Sequence, residues 1–295
     1  MSSDEPRVWV QTIMGTVVSV HAYGTTAFVK DAETAASVAR AFNELREADR
    51  IFSTYREDSE ISRLRRGEIT LDDAHPLVAE VAAACLDAEQ RSGGRFSATW
   101  RGWFDPTGYV KGWAVERAAR MHLLPLLAAN GATAIGINAG GDMQLGTAAG
   151  SDWVWRIGIA DPHRAGEVLA IIDVVDGAVA TSGTAERGVH ILDPRSGEPA
   201  TGVRSATVVA DSLAEADLWA TVAVVGGDDL SWVSAARSRA RRPSSTPSPR
   251  PSSARASTGR SSSSTSPPLG PRRGSRATRR ATCSSRASAS APRAG

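Results

Sequence analysis

The sequence predicts an α+β domain, a mixed and largely antiparallel sheet with packed helices, followed by a disordered C-terminal tail. Three observations carry this. Short apolar runs with a two-residue period recur, as where Val18, Val20 and Ala22 alternate with Ser19 and His21, the pattern of a half-buried strand. Other stretches repeat their apolar residues at three and four, the stripe of an amphipathic helix. From Arg237 both patterns stop, and Ser, Arg, Pro, Ala and Thr take over. That composition buries too little apolar surface to offset the ordering of the chain. Residues 1–236 therefore read as one domain and 237–295 as a low-complexity tail.

Charge divides at the same place. The tail holds 14 arginines and no Asp, Glu or Lys, so the chain's total of +2 leaves −12 for residues 1–236. A frameshift in a GC-rich gene would produce such a tail. The rival is a basic segment for nucleic acid, but no aromatic residue is interleaved with its arginines. Stacking on bases then has no support, and no nucleic-acid partner is expected. Cys85 lies in an apolar helical run and reads as a small buried hydrophobe, while Cys283 lies in the tail. No disulfide framework or zinc spacing is present. Met1–Arg7 is polar and acidic, unlike a secretory leader. No apolar run approaches the roughly 20 residues that span a bilayer. The expectation is a cytoplasmic protein with no membrane span.

In order, Val8 to Ala22 reads as two strands broken at Met14-Gly15. Asp31 to Phe52 reads as a helix, with Val38, Ala41, Phe42, Leu45, Ala48 and Phe52 on one stripe. Asp58 or Ser59 caps a short helix after it. Pro76 to Arg91 is a helix with proline in its first turn and Gly93-Gly94 at its end. Another helix starts near Tyr109 and runs to about Leu127, with Pro125 kinking or ending it. Ala134 to Asn138 is a buried strand leading to Gly140-Gly141-Asp142, which reads as a tight turn or a close approach to a ligand. Trp155–Ala160, Val168–Val174, Gly177–Ala180, Val189–Leu192 and Ala206–Ala210 read as strands. A last helix, capped by Asp211 or Ser212, buries Leu213, Ala216, Ala220 and Val224. On it Asp217 and Thr221 are four apart and share a face. They are either joined by an intrahelical hydrogen bond or free to act as hard oxygen ligands suited to Mg²⁺. Thr181-Ser182-Gly183-Thr184 crowds hydroxyls and a glycine where backbone N–H groups could face a phosphate. Read alone, it is sooner the polar tip of a plain hairpin.

Six segments, in order from about Ile13 to about Gly227, resemble the blocks of the ApbE family, the FAD:protein FMN transferases. They are Met14-Gly15-Thr16; Phe52-Ser53-Thr54-Tyr55 with Ser59-Glu60-Ile61; Asp105-Pro106-Thr107-Gly108 with Lys111-Gly112-Trp113-Ala114-Val115; Ala139-Gly140-Gly141-Asp142; Ser182-Gly183 with His190-Ile191-Leu192-Asp193-Pro194; and Ala216-Asp217-Leu218-Trp219-Ala220-Thr221. Arg95-Phe96-Ser97 falls on a further turn, where this chain has Ser97 in place of the family's usual Asp. The resemblance implies transfer of FMN from FAD to a Ser or Thr hydroxyl of an acceptor protein, a flavin-carrying subunit of a redox complex, with release of AMP. It implies FAD as substrate, contacted by Met14, Tyr55, Arg95, Phe96, Ser97, Asp105, Lys111, His190 and Ile191. It implies Mg²⁺ held by Asp217, Thr221 and the carbonyl of Gly108. His190 is the candidate proton acceptor, with a structural histidine as the alternative. An FAD pyrophosphatase giving FMN and AMP, and an inactive flavin-binding protein, are the other readings.

Overall fold

A computed structural model describes residues 5–183, 191–231 and 280–283. Strands β1 (Glu5–Ile13) and β2 (Thr16–Gly24) form a hairpin, then come helices α1 (Thr26–Lys30), α2 (Ala32–Phe52), α3 (Glu60–Arg65), α4 (Pro76–Ser92) and α5 (Thr107–Ala118). Strands β3 (Ala132–Ala139), β4 (Asp142–Thr147), β5 (Val154–Ala160), β6 (Val168–Val174), β7 (Gly177–Gly183) and β8 (Ser205–Ala210) follow, then α6 (Leu213–Gly226) and β9 (Arg280–Cys283). The main sheet has the order β1-β2-β3-β4-β7-β8 and a smaller one the order β6-β5-β9. Every pairing is antiparallel except β5 with β9. This is the α+β class expected from the sequence.

The two-residue period of the strands sorts the core into two layers. Ile135, Ile137, Ala178 and Ala180 face the helices and pack in the larger cluster, with Val18, Val20 and Ala22. Ala134, Met143, Leu145 and Val179 face the other way, against Trp153, Trp155, Ile157 and Val174 under the small sheet. The central strands β3, β4 and β7 are thus buried on both faces, which accounts for their apolar runs, while the edge strands β1 and β8 expose Val8, Val10 and Val209.

Local signals set the helices. The whole predicted stripe of α2 is buried, and the Asp31 carboxylate accepts from the Glu33 and Thr34 N–H groups at 2.9 and 3.1 Å. Gly93 closes α4 at φ +62°, a conformation that costs other residues more than glycine. Ser59 caps α3, and Ser212 caps α6. The helix expected up to Leu127 is corrected: α5 ends at Ala118, and a widened π-turn (Ala119–Leu123) and a tight 3₁₀ turn (Leu124–Ala128) continue it. Pro125 has no N–H and its ring collides with the carbonyl four residues back, so a regular helix cannot pass through it.

Two other expectations meet the described residues in part. Of Val189–Leu192 only Ile191 and Leu192 are described; Leu192 bridges Pro199, flanked by the Ala200 N–H donating to the Ile191 carbonyl at 3.0 Å and the Asp193 N–H donating to the Glu198 carbonyl at 2.8 Å. In the tail, Arg280–Cys283 lies parallel to β5. A strand edge offers unpaired N–H and C=O groups to any extended segment, so an apolar core is not needed to recruit these four residues. The rest of 237–295 lies outside the described residues.

Candidate active site

One end of the main sheet collects the turns that matter. The β1–β2 turn, the β3–β4 turn, the end of β7 and the start of β8 lie there, because antiparallel order brings alternate strand ends together. Ile13 pairs with Thr16 across a two-residue turn in which Met14 and Gly15 both have positive φ, +54° and +69°. That is the geometry whose twist suits a two-residue hairpin. Met14 is the one non-glycine in this region among the described residues, and such a residue holds about 1–2 kcal/mol of strain.

Helices α5 and α6 run together beneath these turns. A Cβ on Gly112 would stand 2.8 Å from the Asp217 Cβ and 2.9 Å from the Leu213 carbonyl oxygen, so only glycine allows this approach. It lets the Gly112 N–H donate to Asp217 Oδ2 at 3.1 Å, and the Lys111 ammonium donates to the same oxygen at 2.8 Å. Lys111 also donates to Asp142 Oδ2, and Asp142 Oδ1 accepts from the Thr181 N–H at 3.0 Å. Asp217 and Asp142 are both buried, 6% and 4% exposed. Asp217 and Thr221 are not bonded to each other: the Thr221 hydroxyl meets the Ser182 hydroxyl at 3.0 Å.

One ammonium faces two buried carboxylates, and the proton equilibria reflect that excess of negative charge. Burial pushes the Asp142 carboxyl up to about 6, with Lys111 pulling it down and Asp217 pushing it further up. Burial pulls the Lys111 ammonium down, and the Asp217 and Asp142 charges outweigh it, so its net shift is upward.

These groups form part of the wall of a cavity of about 1940 Å³ that opens between the sheet end, α5 and the small sheet. Met14, Tyr55, Arg95, Phe96, Ser97, Asp105, Gly108, Lys111, Ile191, Asp217 and Thr221 all line it. Among the described residues, the groups near Asp217 that could ligate a cation are hard oxygens, carboxylates and hydroxyls. No three or more described His, Cys, Asp or Glu side chains gather as a metal cage. Such a set fits a magnesium ion, which takes one or two carboxylates and completes its shell with water and substrate phosphates.

A family model described as the ApbE family matches residues 14–105 and 101–241. The chain belongs to the ApbE family. A Rhodobacter capsulatus protein named FAD:protein FMN transferase is 37% identical over 133 residues, covering 42% of this chain and 24% of that protein. A Klebsiella pneumoniae protein of the same name is 32% identical over 124 residues, 39% of this chain and 35% of its own length. The chain thus spans about a quarter to a third of these relatives. In fold it is similar to the ApbE protein of Thermotoga maritima, with a TM-score of 0.64 and 22% identity over 78% of this chain and 90% of that one. The flavin transferase ApbE of Vibrio cholerae gives 0.62 and 22%, over 80% and 92%.

Within this ApbE chain the predicted residues differ in setting. Asp105 holds the start of α5, accepting from the Thr107 N–H at 3.1 Å and its hydroxyl at 2.6 Å. Phe96 is buried and lies against Gly108, where a Cβ would meet its ring at 3.2 Å. The Ser97 hydroxyl is taken by Glu89 at 3.0 Å. Arg95 pairs with Asp229 and donates to the Ser92 carbonyl at 3.2 Å. Tyr55 is 95% exposed at the cavity mouth, while Ile191 is buried against Ala200 and Val224. His190 lies outside the described residues. Sequence reading missed Asp142 as a site residue; its paired glycines were visible, but its partner is 31 residues away. It also missed Trp103, which lines the cavity under the Arg65 guanidinium at 4.5 Å and which no sequence pattern distinguishes. No helix among the described residues is long and apolar enough to cross a membrane.

Proposed function

We propose that this chain transfers the FMN moiety of FAD to a Ser or Thr hydroxyl of an acceptor protein, releasing AMP, with Mg²⁺ bound. The observation that supports this most is the cluster of Lys111, Asp142 and Asp217 at the floor of one large cavity. An ammonium beside hard oxygen donors that suit a divalent cation is a combination that can receive an anionic diphosphate. The acceptor hydroxyl oxygen forms a bond to the FMN-side phosphorus. The bond from that phosphorus to the bridging oxygen breaks, and AMP leaves with that oxygen. The hydroxyl proton passes to a base, for which His190 is the candidate. Asp217, with Thr221 and the Gly108 carbonyl, would hold the Mg²⁺, which when bound polarises the diphosphate and neutralises the leaving oxygen. Lys111 offsets phosphate charge and, with Asp105 at the start of α5, orients the nucleotide. Reactions of this kind depend on positioning and charge more than on covalent chemistry. The acceptor is a flavin-carrying protein of a redox complex, and FAD is the donor.

The test is mass spectrometry of a candidate acceptor peptide incubated with the full chain, FAD and Mg²⁺, with AMP followed in parallel. A peptide heavier by one FMN group, with one AMP per peptide, supports the reading. AMP formed without a modified peptide marks a pyrophosphatase, and FAD bound without AMP marks an inert flavin binder. Asp217→Asn is expected to fold and to lose Mg²⁺-dependent AMP release; wild-type turnover at low Mg²⁺ in that variant rejects the metal assignment.

A further inference from the structure

We infer that Lys111 serves as the counter-ion of Asp142 and Asp217 only until a divalent cation replaces it, and that it then passes to the phosphates of the bound dinucleotide. This rests on the flavin-transfer reading above. Both carboxylates are buried, and among the described residues their ion pairs are with Lys111 alone. One positive charge against two negative ones leaves the floor of the cavity at −1. A diphosphate brought to that floor meets repulsion. With a divalent cation added the same three residues sum to +1, and the diphosphate is attracted. The order of events is therefore set by charge: cation first or together with the nucleotide.

The geometry lets Lys111 take part in both states. Its side chain is 28% exposed, against 6% and 9% for the two carboxylates, and all three residues line the cavity. A lysine is a compact charge on a flexible four-carbon stem with three rotatable donors, and it can leave one oxygen partner for another without moving α5. Asp142 and Asp217 have no such freedom. Asp142 is pinned by the Thr181 N–H and Asp217 by the Gly112 N–H. The carboxylates stay, and the lysine is the part that changes partner.

Calorimetric titration of Mg²⁺ into the nucleotide-free full chain tests this, alongside FAD affinity with and without Mg²⁺. Removing the competing ammonium in Lys111→Met is expected to tighten Mg²⁺ binding at least about tenfold, since a unit charge at contact distance is removed. FAD affinity in the presence of Mg²⁺ is expected to fall by about tenfold or more in the same variant. Lys111→Arg, which keeps the charge, is expected to bind Mg²⁺ as the wild type does. Lys111→Gln, which keeps one donor for the carboxylates, is read in the same way as Lys111→Met should the latter not fold. If the neutral variants bind Mg²⁺ no more tightly than wild type while FAD binding still needs Mg²⁺, the hand-over is overturned and the flavin-transfer reading stands. If the wild type binds neither Mg²⁺ nor FAD, both fall together.

Discussion

Replacing Gly112 by alanine adds one methyl group at the place where α5 and α6 come nearest. The new Cβ would lie 2.8 Å from the Asp217 Cβ, 2.9 Å from the Leu213 carbonyl oxygen and 3.0 Å from Asp217 Oδ2. One of these neighbours is backbone, so the helices themselves have to separate. Overpacking of this kind costs about 1–3 kcal/mol. The separation also lengthens the Gly112 N–H bond to Asp217, now 3.1 Å; a hydrogen bond to a charged group is worth about 1.5–3 kcal/mol, part of which is lost. Against this, alanine favours a helix over glycine by up to about 1 kcal/mol. The expected net loss is about 2–4 kcal/mol, or a fall of roughly 5–15 °C in Tm at the usual scale for a domain of this size. Urea denaturation measures the first quantity and thermal unfolding the second. AMP release from FAD should fall as well, because the carboxylate that moves is the one in the floor of the cavity. Gly112→Ala with wild-type stability and wild-type turnover would refute the close approach and, with it, the described floor.

The Asp142 carboxyl keeps its proton to about pH 6 in the folded chain against 3.8 ordinarily. The native state therefore binds more protons than the unfolded one between these values, and stability from this group is present at low pH and lost as pH rises through that window. In denaturation at several pH values, the stability of wild type relative to Asp142→Asn should fall from about pH 4 to about pH 6; a flat difference contradicts the assignment. Met14→Gly should raise stability by up to about 1 kcal/mol by relieving the left-handed backbone, while weakening FAD binding, as measured by flavin fluorescence. Loss of stability on that change would mean that Met14's packing outweighs its strain. Burial, with the Asp105 and Glu89 charges, pushes the Cys85 thiol up to about 12, and the thiolate is the reactive form. Iodoacetamide near pH 8 should leave Cys85 unmodified in the folded chain and label it in denaturant, as peptide mapping will report.

Features fixed within one turn of helix or one hairpin were legible in the sequence. The stripe of α2, the Ser59 cap, the proline start and glycine end of α4, and the break at Met14-Gly15 all follow from neighbours within a few residues. The layers were less legible. β4 pairs with β7 through residues as far apart as Gln144 and Ala178, and a two-residue period does not name its partner. The same limit applied to the site. The Asp217–Thr221 spacing was visible, yet their actual partners, Lys111 and Ser182, stand 106 and 39 residues away. Asp142 was visible only as the end of a glycine turn, since nothing near it in sequence shows that it faces a lysine. Ser97 was expected to face the nucleotide and lines the cavity, but Glu89 on α4 holds its hydroxyl.

The polarity of the main sheet has a practical side. The cavity-lining turns at Met14-Gly15 and Gly140-Gly141 gather at one end, and the turn after β4 lies at the other. β4 leaves Asp142 and runs six residues to Thr147, about 20 Å at the usual rise of a strand, before the chain turns through Gly150. Gly150 itself sits at φ +81°, where a side chain would be strained, whereas the neighbouring Ala149 is exposed. A fluorophore, an affinity handle or a whole inserted domain placed there would ride a strand's length from the cavity. The two ends of the sheet can therefore change independently: one constrained by charge and close packing, the other open to attachments that decide where the chain is held and what it is brought near.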